Sequence, residues 1–411
     1  MANTKSNKTV LVLYSDPHRR TLIESMNGAL PLCFFRVDPQ APVRDQLEAL
    51  ETLARHGQNH IGGVVGINDF AGALAAAAGD HLGFTTPSPC ATYQAQHKAL
   101  FMQHAAACNP HYPPTRIIRS EEDIPIASTW YPAFIKPAAS SLSACSFLAK
   151  DPHTLKERYR AVRDLKRADV TWRQALYRPL IKADDPPLSA FLLQPFLQFP
   201  QYTLDGYVHH GQVALVGITA SIFDRPGHSF ERFDFPAHLE EDTQAELRKV
   251  AEDLVASLGF DNGSFNVEFF VTEAGHIIVI EFNIRIAFQF VALFTARYAE
   301  NYLTEVCKLA LGETPSLTAL PAPQSASSCV LRVYEDKTVI GTPSEEEIAA
   351  LARHGLVHSV RLLAEPGKRL CEYKQDTYSF RYALFNILYQ DKAERDEKIK
   401  RIKDHLHFVF K

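Results

Sequence analysis

Several residue types are scarce in this chain, and each scarcity removes a class of protein. Seven cysteines in 411 residues (33, 90, 108, 145, 307, 329 and 371) are scattered, odd in number and form no CxxC pair. That speaks for a reducing compartment and against a zinc or disulfide framework. No apolar run approaches the ~20 residues of a membrane span. The polar opening MANTKSNKTV lacks the apolar stretch of a signal peptide, so a cytoplasmic protein with no membrane partner is expected. Positive charge is not in excess either: 43 Lys and Arg against 47 Asp and Glu leave a net charge of −4. With no basic aromatic stripe, a nucleic-acid partner is not expected. Glycine is sparse at 19 residues, and Gly62-Gly63 is no GxGxxG fingerprint, so no dinucleotide site is inferred. None of the 17 histidines forms HExxH, and His209-His210, beside Gly211, reads as a solvated turn.

What is present centres on Gly263–Phe290, GSFNVEFFVTEAGHIIVIEFNIRIAFQF. Two runs rich in Val, Ile and Phe, Phe265–Val271 and His276–Phe282, flank a turn at Thr272–Gly275, which predicts a β-hairpin. With the turn centred between Ala274 and Gly275, Glu268 falls opposite Glu281. Opposed residues have Cβ atoms about 4.5–5.5 Å apart, and two carboxylates that close need a cation or a proton between them. Glu281, Asn283 and Arg285 alternate, so they share a face. Charged residues simply facing water would be the default reading for an isolated E-x-N-x-R. The facing Glu and the apolar flanks favour a hard cation bound to phosphate oxygens instead, since Mg²⁺ takes one or two carboxylates plus its substrate's phosphates.

Length and ordinary globular composition allow two to four domains. Thr9–Tyr14, Leu32–Val37 and Ile61–Ile67 read as buried strands. Helical patterns lie around Arg19–Ala29, over Val43–His56 and over Phe70–Leu82, the last with Asp69 as its cap. This alternation suggests a Rossmann-like parallel βαβ domain. Tyr93–Ala107 reads as one helix carrying Lys98. Ala133–Pro137 is a strand ending in Lys136, followed by the small-residue loop Ala138–Ser146 and the strand Phe147–Ala149. Strand, small-residue turn and strand suggest a flap whose backbone N–H groups cradle phosphate, with Ser140, Ser141 and Ser143 in the loop. Helical sequence runs from His153 to about Arg178, strands follow at Ala190–Leu197, Tyr202–His209 and Gln212–Ala220, and Asp242–Leu258 is an amphipathic helix. After the hairpin one helix is expected from about Phe288 to Leu311, closed by Gly312. A Pro/Ala/Ser linker, Leu317–Ser328, leads to a small α+β segment with strands near Cys329–Tyr334 and Val357–Leu363 and a final helix, Lys392–His405.

In order, these elements resemble the ATP-grasp superfamily over roughly residues 5–312, and more weakly the C-terminal segment of single-chain amino-acid and dipeptide ligases. The resemblance implies a multidomain α/β and α+β protein: an N-terminal βαβ domain (1–90), a first ATP-grasp lobe with the phosphate flap (91–188), a core with the metal-binding hairpin (189–316) and a C-terminal α+β appendage (329–411). It implies ATP and Mg²⁺, two ions in that family, held by Glu268, Glu281 and Asn283. Lys98 and Lys136 match the two phosphate-binding lysines. LLQPFLQFPQYTLDG (Leu192–Gly206) matches the segment crossing adenine and ribose, which puts Gln194 by the adenine, Gln201 by the ribose and main-chain groups of Phe196 and Leu197 on the adenine edge. Arg285, with Lys136, would steady the transferring phosphoryl group. Arg225, His228 and Gln289 are substrate candidates beside Arg285. The chain departs from the pattern at Gln194 and Gln201, where glutamates are usual. It departs also in the flap, which lacks glycines, and at Ile284, where the family has proline. The implied activity is an ATP-dependent carboxylate–amine ligation through an acyl-phosphate. An amino acid would be one substrate, the partners would be small molecules, and a homodimer is compatible with it. The alternatives are a Mg·ATP-binding regulatory protein without turnover and a ligase of purine or other small-acid metabolism.

Overall fold

Three apolar strands open the chain because their residues leave no polar face to solvate: every residue of β1 (Thr9–Tyr14) is buried. With β2 (Leu32–Arg36) and β3 (Ile61–Gly66) it forms a parallel sheet in the order β2-β1-β3. The computed structural model describes residues 8–411 except 17–19, 21–22, 25–29, 58–59, 141–144, 166, 225–228, 323, 374 and 376–378. The helix expected around Arg19–Ala29 therefore lies largely outside the described residues. Helix Val43–His56 leads from β2 to β3, and helix Asp69–Leu82 follows β3. Gly63 lets β3 lie against helix Tyr302–Ala310, where a Cβ would stand 1.9 Å from the Ala310 carbonyl oxygen.

Four short strands, β4 (Arg116–Ile118), β5 (Ala133–Pro137), β6 (Phe147–Ala149) and β7 (Phe191–Pro195), form an antiparallel sheet in the order β4-β7-β5-β6. The flap loop expected between β5 and β6 connects antiparallel neighbours, as a flap must.

The largest sheet takes in β8 (Gln201–His209), β9 (Gln212–Phe223), β10 (Phe230–Phe235), β11 (Gly263–Val271) and β12 (Ile277–Asn283). Past β10 it continues into β13 (Ser325–Val333). β14 (Val339–Gly341) pairs elsewhere, and the sheet is completed by β15 (Ser359–Leu362) and β16 (Phe380–Tyr389). The order is β12-β11-β8-β9-β10-β13-β16-β15, antiparallel throughout. The C-terminal strands are thus hydrogen-bonded to the hairpin's own sheet, and β17 (Val409–Phe410) closes a two-stranded ribbon with β14. Helix Glu241–Leu258 packs Leu247, Val250, Leu254 and Leu258 on Phe265, Phe269 and Phe282 of the hairpin. Among the described residues no helix is long and apolar enough to cross a membrane.

Several local expectations needed correcting. Tyr93–Ala107 is two helices, Pro89–Gln96 and Lys98–Cys108, broken at His97. The helix expected from Phe288 to Leu311 is a single turn at Val291–Phe294 and a second helix, Tyr302–Ala310, which Asn301 caps by accepting from the Leu303 and Thr304 N–H groups. Asn68 rather than Asp69 caps the Ala-rich helix, accepting from the Ala71 N–H at 3.1 Å. His210 and Gly211 form an exposed left-handed turn, but His209 is buried and its Nδ1 lies 3.1 Å from the Thr314 hydroxyl.

Candidate active site

The hairpin is present, and Glu268 pairs with Glu281 in register. The pairing arises from two offsets that cancel. The turn is centred on Ala274, since Val271 pairs with Ile277 and Phe269 with Val279. One extra residue on β12, Ile280, then restores the expected alignment before Glu281. A bulge residue has no cross-strand partner, and here its carbonyl oxygen accepts from Lys136 Nζ at 3.3 Å.

Each acid has partners. Glu281 Oε1 accepts from Lys98 Nζ at 3.0 Å. Glu268 accepts from Gln201 Nε2 at 3.1 Å and from Asn283 Nδ2 at 3.4 Å. Burial, then the charge of Glu281, pushes the Glu268 carboxyl up to about 7. The raised value reflects burial and the repulsion that a hard cation between the acids would relieve, and two opposed oxygen donors fit Mg²⁺. Asn283 donates its amide to both Glu268 and Asn266, so a ligand role would require the amide to turn its oxygen inward.

The break at His97 sets Lys98. His97 is wholly buried, and its Nε2 donates to the Pro186 carbonyl at 2.8 Å. The second helix then starts at Lys98, whose N–H donates to the Ala138 carbonyl and whose Nζ donates to the Ser140 carbonyl at 3.0 Å. Lys98 and the start of the flap loop are thereby tied together. Lys136, at the end of β5, is buried, and burial lowers its ammonium to about 8. Ser140 is buried beside them, while Ser141 and Ser143 lie outside the described residues.

Arg285 lies just past β12, where its Nε donates to Asp69 Oδ1 at 3.2 Å. The capping role at this helix falls to Asn68, and Asp69 faces Arg285 instead. A partner 216 residues away has no signature in the local sequence. Asp205 on β8 is a second acid that sequence reasoning missed. It is fully buried, its Oδ1 accepts from the Ala287 N–H at 3.4 Å and, among the described residues, its Oδ2 has no hydrogen-bond partner. Burial pushes it up to about 8. The signal was available: an acid inside the strand pattern YTLDGYV is costly unless paired or neutral.

Gln194, buried on β7, donates to Tyr112 Oη and Thr115 Oγ1 at 3.2 and 2.8 Å. The Phe196 N–H is already given to the Pro132 carbonyl at 3.0 Å, and Leu197, next along, is half-buried. Gln201 sits against Glu268, so the expected ribose contact adjoins the acid pair. Gln289 is turned away to donate to Ser328 Oγ of β13 at 2.9 Å. Arg225 and His228 lie outside the described residues. The structure thus brings together Glu268, Glu281, Asn283, Lys98, Lys136, Gln201 and the start of the flap, with Arg285 adjoining.

Comparison with known proteins bears on the fold. The model of the ATP-grasp domain matches residues 129–292. No curated protein sequence matches the chain. Among solved structures, an L-amino acid ligase from Bacillus licheniformis is similar over 99% of this chain and 100% of its own, at 16% identity and a TM-score of 0.75. N5-carboxyaminoimidazole ribonucleotide synthetase from Thermotoga maritima is similar at 15% identity over 98% and 100%, with a TM-score of 0.63. Biotin carboxylase from Campylobacter jejuni is similar at 14% over 98% and 92%, with a TM-score of 0.64. Residues 129–292 match the ATP-grasp domain, and the chain has the ATP-grasp fold.

Proposed function

We propose that the chain is an ATP-dependent carboxylate–amine ligase that makes an amide through an acyl-phosphate, with an amino acid as at least one substrate. The observation that carries this is the opposed pair Glu268 and Glu281 with Lys98, Lys136 and Arg285 gathered around it. Two acids facing each other repel, and Lys98 and Lys136 stand beside them while Arg285 is held by Asp69. That arrangement suits a cation shared between the acids and a polyphosphate. The full-length likeness to an L-amino acid ligase supports the choice of substrate class.

Held by Glu268 and Glu281, with Asn283 turned to offer its oxygen, Mg²⁺ would offset phosphate charge. The chain's own residues do the rest by positioning and charge neutralisation. Lys98 and Lys136 hold phosphate oxygens, and Lys98 exchanges its bond to Glu281 for one to phosphate. A substrate carboxylate oxygen attacks the γ-phosphorus as the bond to ADP breaks, with Arg285 steadying the transferred group. The amine then attacks the acyl carbon, phosphate leaves with the bonding pair, and the amine proton passes to solvent.

The test is phosphate release from Mg·ATP across a matrix of amino acids and small carboxylic acids, with mass spectrometry of each positive mixture. Release that needs both an acid and an amine, with a product of condensed mass, is the expected result. ATP binding with no release above the Glu281→Gln background would favour a nucleotide-binding regulator instead.

A further inference from the structure

Away from the phosphate face, three residues from three elements converge. His111 lies in the turn after helix Lys98–Cys108, Glu246 in the second turn of helix Glu241–Leu258, and His276 immediately ahead of β12. One imidazole nitrogen from each histidine and one carboxylate oxygen of Glu246 all lie within 4.8 Å of one another. We propose that they bind a divalent transition metal of the zinc class.

The chemistry selects the metal. Two imidazoles and one carboxylate form a donor set that suits zinc, with water completing a tetrahedron, whereas Mg²⁺ demands an oxygen shell. Zinc–nitrogen bonds of about 2.0–2.1 Å set tetrahedral donor atoms about 3.3 Å apart. Closing the site therefore requires the ligand atoms to draw together by up to roughly 1.5 Å. The two rings are stacked, with centroids 4.2 Å apart and planes 20° from parallel. Both histidines are exposed, so turning the rings to converge displaces only solvent.

The backbone beneath the ligands is already fixed. Asn109 donates to the Ile277 carbonyl at 2.9 Å and accepts from the Val279 N–H at 3.3 Å, which ties the turn carrying His111 to β12. Glu246 Oε1 accepts from the Ile277 N–H at 3.5 Å, so it already leans on the residue after His276. Along the strand His276 is five residues from Glu281, or about 16 Å, so this is a separate site. It does not depend on the ligase reading. Its effect would be to clip the outer end of the hairpin to the helix behind it.

The test uses the full chain freed of metal with a chelator and titrated with Zn²⁺ alone by calorimetry, then with Co²⁺ followed by its visible absorption. One tight equivalent is expected. Zn²⁺ should raise the melting temperature of the native chain, because a ligand that binds only the folded state stabilises it. His276→Ala, His111→Ala and Glu246→Gln should each weaken the affinity by more than about tenfold, the least expected of a direct ligand. A His405→Ala control, in the last turn of the C-terminal helix, should keep it. Melting without metal shows whether each variant is folded; His276→Asn replaces any that is not. No uptake, or uptake that these variants leave unchanged, overturns the proposal.

Discussion

Asp205 is a carboxyl group that the fold keeps away from both water and a full hydrogen-bond shell, and this has a sign that can be measured. Its folded value, about 8, lies above that of the unfolded chain. Between about pH 4 and 8 the folded state therefore holds one more proton than the unfolded state. Stability from this group falls as pH rises, by up to about 1.4 kcal/mol per pH unit, and levels off above 8. Asp205→Asn removes that slope. The variant's advantage in melting temperature should grow from pH 5 to pH 8, and a difference independent of pH would mean that Asp205 is ionised in the folded protein. Two other substitutions test the site itself. Glu281→Gln keeps the side-chain shape but removes the charge, so it should reduce turnover to background with unaltered circular dichroism; an active, well-folded variant would sink the metal assignment. Lys136→Ala removes a charge-assisted contact of about 1.5–3 kcal/mol, and nucleotide binding should weaken by about 10- to 100-fold. Unchanged affinity in a nucleotide titration would place the flap elsewhere.

Among the elements, Asn109 ends helix Lys98–Cys108 and at the same time holds both edges of a peptide step in β12. Asn109→Ala leaves two buried backbone groups unpaired, at a cost of about 2–3 kcal/mol. It should speed hydrogen exchange at the Val279 amide more than at amides of β8, and equal acceleration of both would count against a local role. Elements with a strong period were legible in sequence: Val43–His56 and Lys392–His405 have the expected bounds, and the opposed glutamates were found from strand alternation. What could not be read depended on distant partners. His97 breaks its helix because a carbonyl at Pro186 takes its ring, and nothing local marks that. Asp69 looked like a cap because its pairing with Arg285 is tertiary. Other misses were avoidable. FRYALFNILY, now β16, is plainly a strand pattern, and Ser344 with Glu347 is a capping box that announces helix Glu345–Arg353.

At the scale of the molecule, the sheet does not stop where composition suggested a linker. β10 pairs with β13 from Arg232–Cys329 to Phe235–Ala326, so the C-terminal segment covers an edge that would otherwise offer unpaired N–H and C=O groups. The divisions near residues 90, 188 and 316 remain our proposal for how the chain is organised, but the last of them is bridged by these ladders. A chain ending at Gln324 should expose β10 and aggregate or stay unfolded, as seen by gel filtration and circular dichroism. A soluble, monomeric product that still binds ATP would show that the C-terminal segment is dispensable for folding.

The bulge at Ile280 has a further consequence for changes in chain length. Because the turn is half a residue short and the bulge makes up the difference, removing Ile280 would let β12 continue its register from Val279 straight to the glutamate. The two acids would still meet. Only the carbonyl offered to Lys136 would be lost. The hairpin can therefore lose one residue at this point without inverting its faces, and a chain one residue shorter here would keep the acid pair while setting its phosphate lysine differently.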